Sequence, residues 1–340
     1  MSTPSEKPPA RRAPAAVGRW LRDLLGPFVG IVLVALVFAV LDAQRESGRS
    51  LVSWVSVQTV LAQSVIVGTA ALGMTLIIVA GGIDLSAGTA MALVATITAW
   101  LLQQGFSLPV AFAGGVLTGA AAGAVNGTLI STLRVVPFIV TLGTMTIFQG
   151  VARVIAGDVP IRVYERTPAW VPEMVAPLPA QGWMVFSPAV WIMFALAGLA
   201  AGILHLSVFG RHVFALGSNE ATARLCGIPI HRTRILVYTL AGVFLGVAGL
   251  FRFAVLGGEG HPTGGMGLEL KVIAAVVIGG GSLSGGRGSV LGTLAGAVLI
   301  ELINYGCTRL GVSDLYQDII VGVIIIAAVT LDQLRLRRVL

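Results

Sequence analysis

The polar and reactive side chains of this sequence do not form a known catalytic or metal-binding pattern. Phosphate-binding loops of the GxxxxGK type are missing, since the glycine-rich segment Gly279–Gly288 contains no lysine. Ser284 lacks the glycine two positions earlier that a nucleophile elbow needs, and no HExxH motif occurs. Cys226 and Cys307 are isolated, which favours neither a disulfide framework nor a metal site. We therefore predict no catalytic residue, no metal and no cofactor in this chain.

A short polar break separates two long apolar segments at residues 81–86. Its two glycines free the backbone, and Asp84 or Ser86 can accept the orphan N–H groups of the next helix. Two interpretations stay open: a helix cap, or a hinge beside a translocation path, where broken backbone is tolerated at membrane depth. Two isolated polar residues further along, Asn126 and Gln149, also have two interpretations: they join helices or they line a path. The candidate hinge or path residues are Gly81, Gly82, Asp84, Ser86, Asn126 and Gln149.

Glu301 lies in a later apolar segment, 289–306, where an ionised carboxylate is costly and needs a partner or water. Asn304 and Tyr305 follow three and four residues later, on the same helix face, and can hydrogen-bond it. The pattern fits a proton carrier, and it also fits a carboxylate whose hydrogen bonds are satisfied at a contact between helices. Arg153, one turn after Gln149, could bind a hydroxylated solute near the outer mouth of a path.

The most informative stretch is 209–234. Asn219 is a suitable N-cap for a short helix over 220–226, and Gly227 followed by Pro229 would end that helix. A capped helix in a hydrophilic stretch could be the contact site for a partner protein. The alternative interpretation is an ordinary loop that contains arginines. The candidate docking residues are Asn219, Glu220, Ala221, Arg224, Gly227 and Ile228.

The elements that carry these residues must lie in a membrane. Of the 340 residues, 56% are hydrophobic and only 11% are charged, and the mean hydropathy is +0.93. A soluble domain carries roughly 25% charged residues, so most of this surface faces lipid. The net charge of +7 does not indicate nucleic-acid binding, because the basic residues are scattered in short gaps between apolar runs.

We predict an all-α polytopic bundle with about ten spans, each of about 20 residues. Residues 1–20 are rich in Pro, Ala and Arg and are predicted to form a disordered tail, and residues 21–340 the transmembrane domain. Residues 157–187 form the long outer segment. The predicted spans are 24–42, 53–80, 87–104, 109–131, 137–156, 188–208, 235–254, 269–285, 289–306 and 316–333.

Charge sets the predicted orientation. With ten spans and a cytoplasmic N-terminus, 14 of the 22 Lys and Arg residues fall on the cytoplasmic side, as the positive-inside rule expects. Both termini are then cytoplasmic. Glycines every four residues in the fourth and ninth spans, Gly115–Gly127 and Gly288–Gly296, indicate close helix packing. Residues 78–88 match 276–286, which suggests an internal repeat of the kind found in transporters.

Three segments together resemble a known family. Gly81-Gly82-Ile83-Asp84-Leu85-Ser86, the stretch Leu216–Ile228 and Val276-Val277-Ile278-Gly279-Gly280 are similar to the ribose-type permeases of bacterial ABC importers. The likeness runs from about residue 50 to the C-terminus. Permeases for branched-chain amino acids belong to the same superfamily more distantly. Thr222 departs from the broader Glu-Ala-Ala pattern of the family's docking loop.

The resemblance implies a bacterial inner-membrane permease that works by alternating access. It implies partners as well: a second permease copy or paralogue, a cytoplasmic ATP-binding subunit that holds ATP and magnesium, and a periplasmic or extracellular sugar-binding protein. Residues 219–228 then match the loop that docks into the ATPase. The alternatives are a proton-coupled secondary transporter that uses Glu301, and an ABC permease for a non-sugar solute such as a branched-chain amino acid.

Overall fold

The computed structural model describes residues 14–43, 53–179 and 182–313, together with 316, 317, 319, 320, 322–324, 326 and 330; for 14–25 and 43 it describes the backbone alone. Two short strands, β1 (Ile161–Arg162) and β2 (Glu259–Gly260), pair antiparallel, with Ile161 opposite Gly260. The helices are α1 Pro14–Ala43, α2 Trp54–Val79, α3 Ala87–Gln103, α4 Leu108–Leu133, α5 Pro137–Ala156, α6 Trp170–Glu173, α7 Pro188–Leu206, α8 Val208–Ser218, α9 Glu220–Leu225, α10 Ile230–Val255, α11 Leu268–Ile278 and α12 Val290–Arg309. The predicted all-α polytopic fold is confirmed.

Helix α2 forms the centre of the bundle. Its sequence is apolar on every face, so it can pack against other helices all round. Accordingly, 94% of its apolar window is buried, against 28% for α4 and 22% for α5. Helices α7, α10, α11 and α12 contact α2 directly. The peripheral helices therefore leave most of their apolar surface for lipid or for another protein.

The glycine stripe of α4 is the face that packs on α10. A Cβ atom at Gly119 would lie 2.7 Å from the Cα of Gly246, and one at Gly127 would lie 2.8 Å from the Cα of Ile235. Small residues on both helices thus bring the two backbones together, which is how helices associate in lipid. The sequence pattern on α4 correctly predicted a packing face, and the matching glycines of α10 complete it.

Six helices in the described part of the chain have the length and apolar composition of a membrane crossing: α2, α4, α5, α7, α10 and α12. Helix α3 is slightly shorter, at 17 residues. The predicted span 269–285 is wrong, because α11 has only 11 residues and ends at Ile278. Half of the predicted span 316–333 lies outside the described residues, and its described residues are helical. Residues 14–20, predicted as tail, belong to α1, and residues 1–13 lie outside the description.

The two glycine-rich segments of the suggested repeat end their helices in the same way. The N–H groups of Gly81 and Gly82 donate to the carbonyls of Ile78 and Ile77, which closes α2 in a Schellman motif. Gly280 and Gly281 close α11 with the equivalent pair of bonds. Since Gly81 and Gly280 both have positive φ, at 80° and 90°, the structural register is one residue away from the sequence match.

Candidate functional site

Helix α9 projects from one end of the bundle, which we call the α9 end. The Asn219 side chain accepts a hydrogen bond from the Thr222 N–H at 2.9 Å, so the predicted N-cap is present. Gly227, at φ 80°, ends the helix in a third Schellman motif, and its amide donates to the Arg224 carbonyl. Only Ala223 of α9 is buried, whereas Leu225 is 89% exposed. The helix therefore presents nearly all of its surface outward.

Glu220 forms two ion pairs, one within α9 and one that fixes α9 to α10. Glu220 accepts hydrogen bonds from Arg224 at 3.0 Å and from Arg234, in the first turns of α10, at 2.7 Å. Partial burial opposes ionisation, but Arg234 and Arg224 together hold the pKa of the Glu220 carboxyl below its ordinary value. Beneath these pairs, Ala223 packs with Leu216 of α8 and Ile230 of α10 in a small apolar cluster. Glu220 is thus negative at neutral pH and bridges α9 to α10.

Immediately before α9, the end of α8 lies in a junction of glycines. A Cβ atom at Gly217 would lie 2.6 Å from the backbone N of Gly286 and would overlap the Val79 carbonyl oxygen. That carbonyl, at the end of α2, accepts a 2.9 Å hydrogen bond from the Gly286 N–H. The glycine junction (Gly217, Gly81, Gly285 and Gly286) therefore joins α8 to the end of α2 and to the segment after α11 by direct backbone contact.

The break after α2 encloses a buried polar cluster. Asp84 is 1% exposed, and its Oδ1 accepts from the Ser86 N–H at 2.8 Å and from the Ser86 hydroxyl at 2.6 Å. The Asn126 amide of α4 donates to Ser86 Oγ at 2.8 Å. Ser86 occupies the N-cap position of α3 without a side-chain cap bond, so the predicted capping is carried by Asp84. The cluster ties the break to α4.

A second break, absent from the sequence interpretation, precedes α11. Residues 256–267 turn back along α3: a Cβ atom at Gly260 would lie 2.7 Å from the Ala99 Cβ, and Gly265 lies in backbone contact with Gly88. Helix α11 therefore begins beside the first turn of α3, inside the bundle. The segment 269–285, predicted as a full span, is thus a half-helix that lies between two non-helical stretches, an arrangement typical of transporter sites.

Glu269 is the carboxylate of this second break. It is 8% exposed, and its Oε1 accepts from the Gly267 N–H at 3.0 Å, at the start of α11. Its Oε2 lies next to Gly88 in the first turn of α3 and has no hydrogen-bond partner among the described residues. The carboxylate thus faces the positive ends of two helix dipoles. The clustering of Pro262, Gly264, Gly265 and Gly267 before a short apolar run was the sequence signal for this break.

The remaining candidates lie apart from these clusters. Gln149 is half-exposed on α5 and donates to Met266 Sδ at 3.2 Å, which places it against the second break. Arg153 pairs instead with Asp158 at 2.6 Å. Glu301 does accept from Asn304, at 3.2 Å, but the Tyr305 hydroxyl bonds Ser56 Oγ of α2 rather than Glu301. Glu301 therefore has one of the two expected partners.

The opposite end of the bundle, the β-sheet end, is ordered by polar contacts. Arg166 donates to the carbonyls of Leu102 and Gln103, the last groups of α3. Glu259 of β2 accepts from the Tyr164 hydroxyl at 2.6 Å and from Arg162 at 3.3 Å, and these bonds lower the pKa of the Glu259 carboxyl. The predicted outer segment is thus a folded cap, with α6 and β1 inside it.

These features define a class of protein: a helical membrane bundle with broken helices in its interior and one protruding helix bonded to them. The chain matches the family model described as the branched-chain amino acid transport system permease component over residues 56–329. It therefore belongs to this permease family, and ribose import permeases among its relatives confirm the likeness to ribose-type permeases.

Individual relatives cover most of the chain. The ribose import permease protein RbsC of Bacillus subtilis is 36% identical over 91% of this chain and 92% of its own length. The ribose import permease of Escherichia coli K12 is 39% identical over 80% of this chain and 84% of its own. The fructose import permease protein FrcC of Rhizobium meliloti is 33% identical over 90% of this chain and 84% of its own. No solved structure matches the chain.

Proposed function

We propose that this chain is the membrane-spanning permease subunit of an ABC importer that carries a monosaccharide across the bacterial inner membrane. The observation that carries the proposal is the similarity, over nearly the whole chain, to import permeases for ribose and fructose. The broken helices are consistent with it, because unwound backbone inside a bundle supplies the polar groups that a hydroxylated solute needs.

The mechanism is alternating access driven from outside the chain. A cytoplasmic ATPase subunit, which binds ATP and magnesium, docks on α9. Movement of α9 reaches α8 within one residue, and the Gly217 contact passes it to the end of α2 and to the segment after α11. Both broken helices therefore respond to one displacement. A second permease copy encloses the path, a periplasmic or extracellular binding protein delivers the sugar, and both termini are cytoplasmic.

Reconstitution in liposomes tests the proposal. The chain should take up ribose, fructose or D-allose only when the ATPase subunit, the binding protein and ATP are all supplied, and excess valine or leucine should not compete. Uptake by the chain alone, driven by a proton gradient and abolished by Glu301→Gln, would instead establish the secondary transporter. Competition by branched-chain amino acids would replace the sugar with an amino acid substrate.

Two substitutions test the docking role of α9 within this system. Glu220→Arg places a third positive charge beside Arg224 and Arg234, and Gly227→Pro forbids the φ of 80° that ends the helix. Both should abolish ATP-driven uptake and association with the ATPase, while membrane insertion is unchanged. Arg232→Glu, an exposed charge reversal on α10 outside these ion pairs, is the control. Normal uptake by both α9 variants would disprove docking at this helix.

A further inference from the structure

A cavity of about 680 Å³ opens at the α9 end of the bundle. It lies between α9, the first turns of α10 and the turn that joins α4 to α5. The charged residues that line it are Arg134, Glu220, Arg224 and Arg234, and His231 also borders it. Positive side chains from three separate elements therefore line it.

The charge of this cavity is not balanced by its own residues. Its single carboxylate, Glu220, is shared between Arg224 and Arg234. Arg134 takes part in none of the ion pairs of the described residues. The Ser131 hydroxyl is buried at the cavity wall and has no hydrogen-bond partner in the described part of the chain. Helices α5 and α10 also begin here, with the positive ends of their dipoles directed at the cavity.

An apolar surface continues directly from the cavity along α4 and α5. Leu133 is 59% exposed, Val136 62% and Ile139 58%, and Val136 also lines the cavity wall. The cavity therefore sits where two membrane helices end, with donors and positive charge inside it and a lipid-facing surface beside it. A basic pocket between transmembrane helices at the cytoplasmic face is a typical site for an anionic lipid headgroup.

We propose that this cavity binds the phosphate headgroup of an anionic phospholipid of the inner leaflet, with Arg134 as its charged ligand and the acyl chains against Val136 and Ile139. The site is separate from the path of the sugar. Because Arg224 and Glu220 belong to α9, an occupied cavity also supports the helix on which we propose that the ATPase docks.

Native mass spectrometry of the full-length chain in detergent tests the site. Phosphatidylglycerol should bind in a saturable way and more tightly than phosphatidylcholine. Arg134→Gln should raise the apparent Kd for phosphatidylglycerol about fivefold, since a basic residue near the membrane contributes roughly 1 kcal/mol to anionic-lipid binding and 1.4 kcal/mol is tenfold. Arg232→Gln removes an exposed arginine of α10 that does not line the cavity, and should leave the Kd unchanged.

Three outcomes would overturn the proposal. Equal weakening by Arg134→Gln and Arg232→Gln would show a diffuse effect of positive surface charge. Equal binding of phosphatidylglycerol and phosphatidylcholine would remove the role of the anionic headgroup. Displacement of phosphatidylglycerol by millimolar inorganic phosphate, which then binds with the same dependence on Arg134, would assign the cavity to a free anion. Thermal unfolding of both variants in detergent confirms that each is folded before its binding is compared.

Discussion

Asp84 bears on both interpretations of the polar break at residues 81–86, a helix cap and a hinge. It accepts the Ser86 N–H and hydroxyl, and the Asn126 amide lies 3.4 Å from both of its carboxylate oxygens. A buried carboxylate with several donors is satisfied locally, so it caps α3 and fixes the break to α4. A break held this firmly can move only together with α3 and α4.

Replacing Asp84 should therefore destabilise the whole bundle. Asp84→Ala leaves the buried Ser86 N–H without its acceptor, and we expect a loss of about 2 kcal/mol or more in the free energy of unfolding. Asp158→Asn is the control: it breaks an exposed ion pair with Arg153 and keeps a residue type that tolerates a φ of 64°, so its effect should stay within about 1 kcal/mol. Thermal unfolding in detergent measures both, and equal midpoints would show that the Asp84 cluster contributes nothing to stability.

At the scale of elements, the short link between α8 and α9 is the decisive feature. Asn219 alone separates α8, which carries Gly217 of the glycine junction, from α9, so a displacement of α9 cannot be absorbed by a flexible connection. The hydrogen bond from Gly286 to Val79 holds the end of α2 and the segment after α11 together at this point. We therefore expect the close backbone contact at Gly217 to transmit movement of α8 to the end of α2 and to the segment after α11, in addition to allowing tight packing.

Gly217→Ala should separate ATP hydrolysis from transport. The added methyl group cannot fit against Val79 and Gly286 without moving α8, whereas Gly202→Ala on α7 meets no atom within 4 Å and is the control. We expect association with the ATPase to be retained by both variants. The ratio of sugar transported to ATP hydrolysed should fall at least tenfold in Gly217→Ala. An unchanged ratio would show that coupling does not pass through this contact.

The sequence predicted some of these elements much better than others, for physical reasons. Helix α9 was predicted to within one residue because its signals are local: an Asn cap and a glycine stop. The span at 269–285 was wrong because hydropathy does not distinguish an apolar half-helix from a full crossing. Gly217 gave no local signal at all, since its importance comes from chain segments more than 60 residues away on either side.

The predicted polar break lies at the expected residues, but the sequence did not show which polar side chains meet there. Gly82, Asp84 and Ser86 lie together and Asn126 joins them, although 40 residues separate Asn126 from Ser86. Gln149 lies instead at the second break, and Glu269 was not singled out. Which polar groups meet depends on helix packing, and the glycine contacts between α4 and α10 that position Asn126 are set by two helices far apart in sequence.

At the scale of the whole molecule, the two ends of the bundle have different structures. The α9 end carries a protruding helix, the glycine junction and an open basic cavity. The β-sheet end is closed by α6, the β1–β2 pair and the Arg166 contacts to α3. An importer needs this asymmetry, since the subunit that supplies energy and the protein that delivers the solute must bind at opposite ends of the bundle.

The proposed orientation can be tested with the two cysteines of the chain. Cys226 is exposed at the end of α9 and Cys307 is 4% exposed, so a membrane-impermeant maleimide should react at Cys226 alone. In cells that lack the ATPase subunit, we expect labelling in inside-out vesicles and none in spheroplasts. Glu165→Cys combined with Cys226→Ser should show the reverse, because Glu165 lies at the β-sheet end. The 26 residues of α10, about 39 Å, separate the two ends, so labelling of Cys226 from outside would invert the topology and refute docking of a cytoplasmic ATPase on α9.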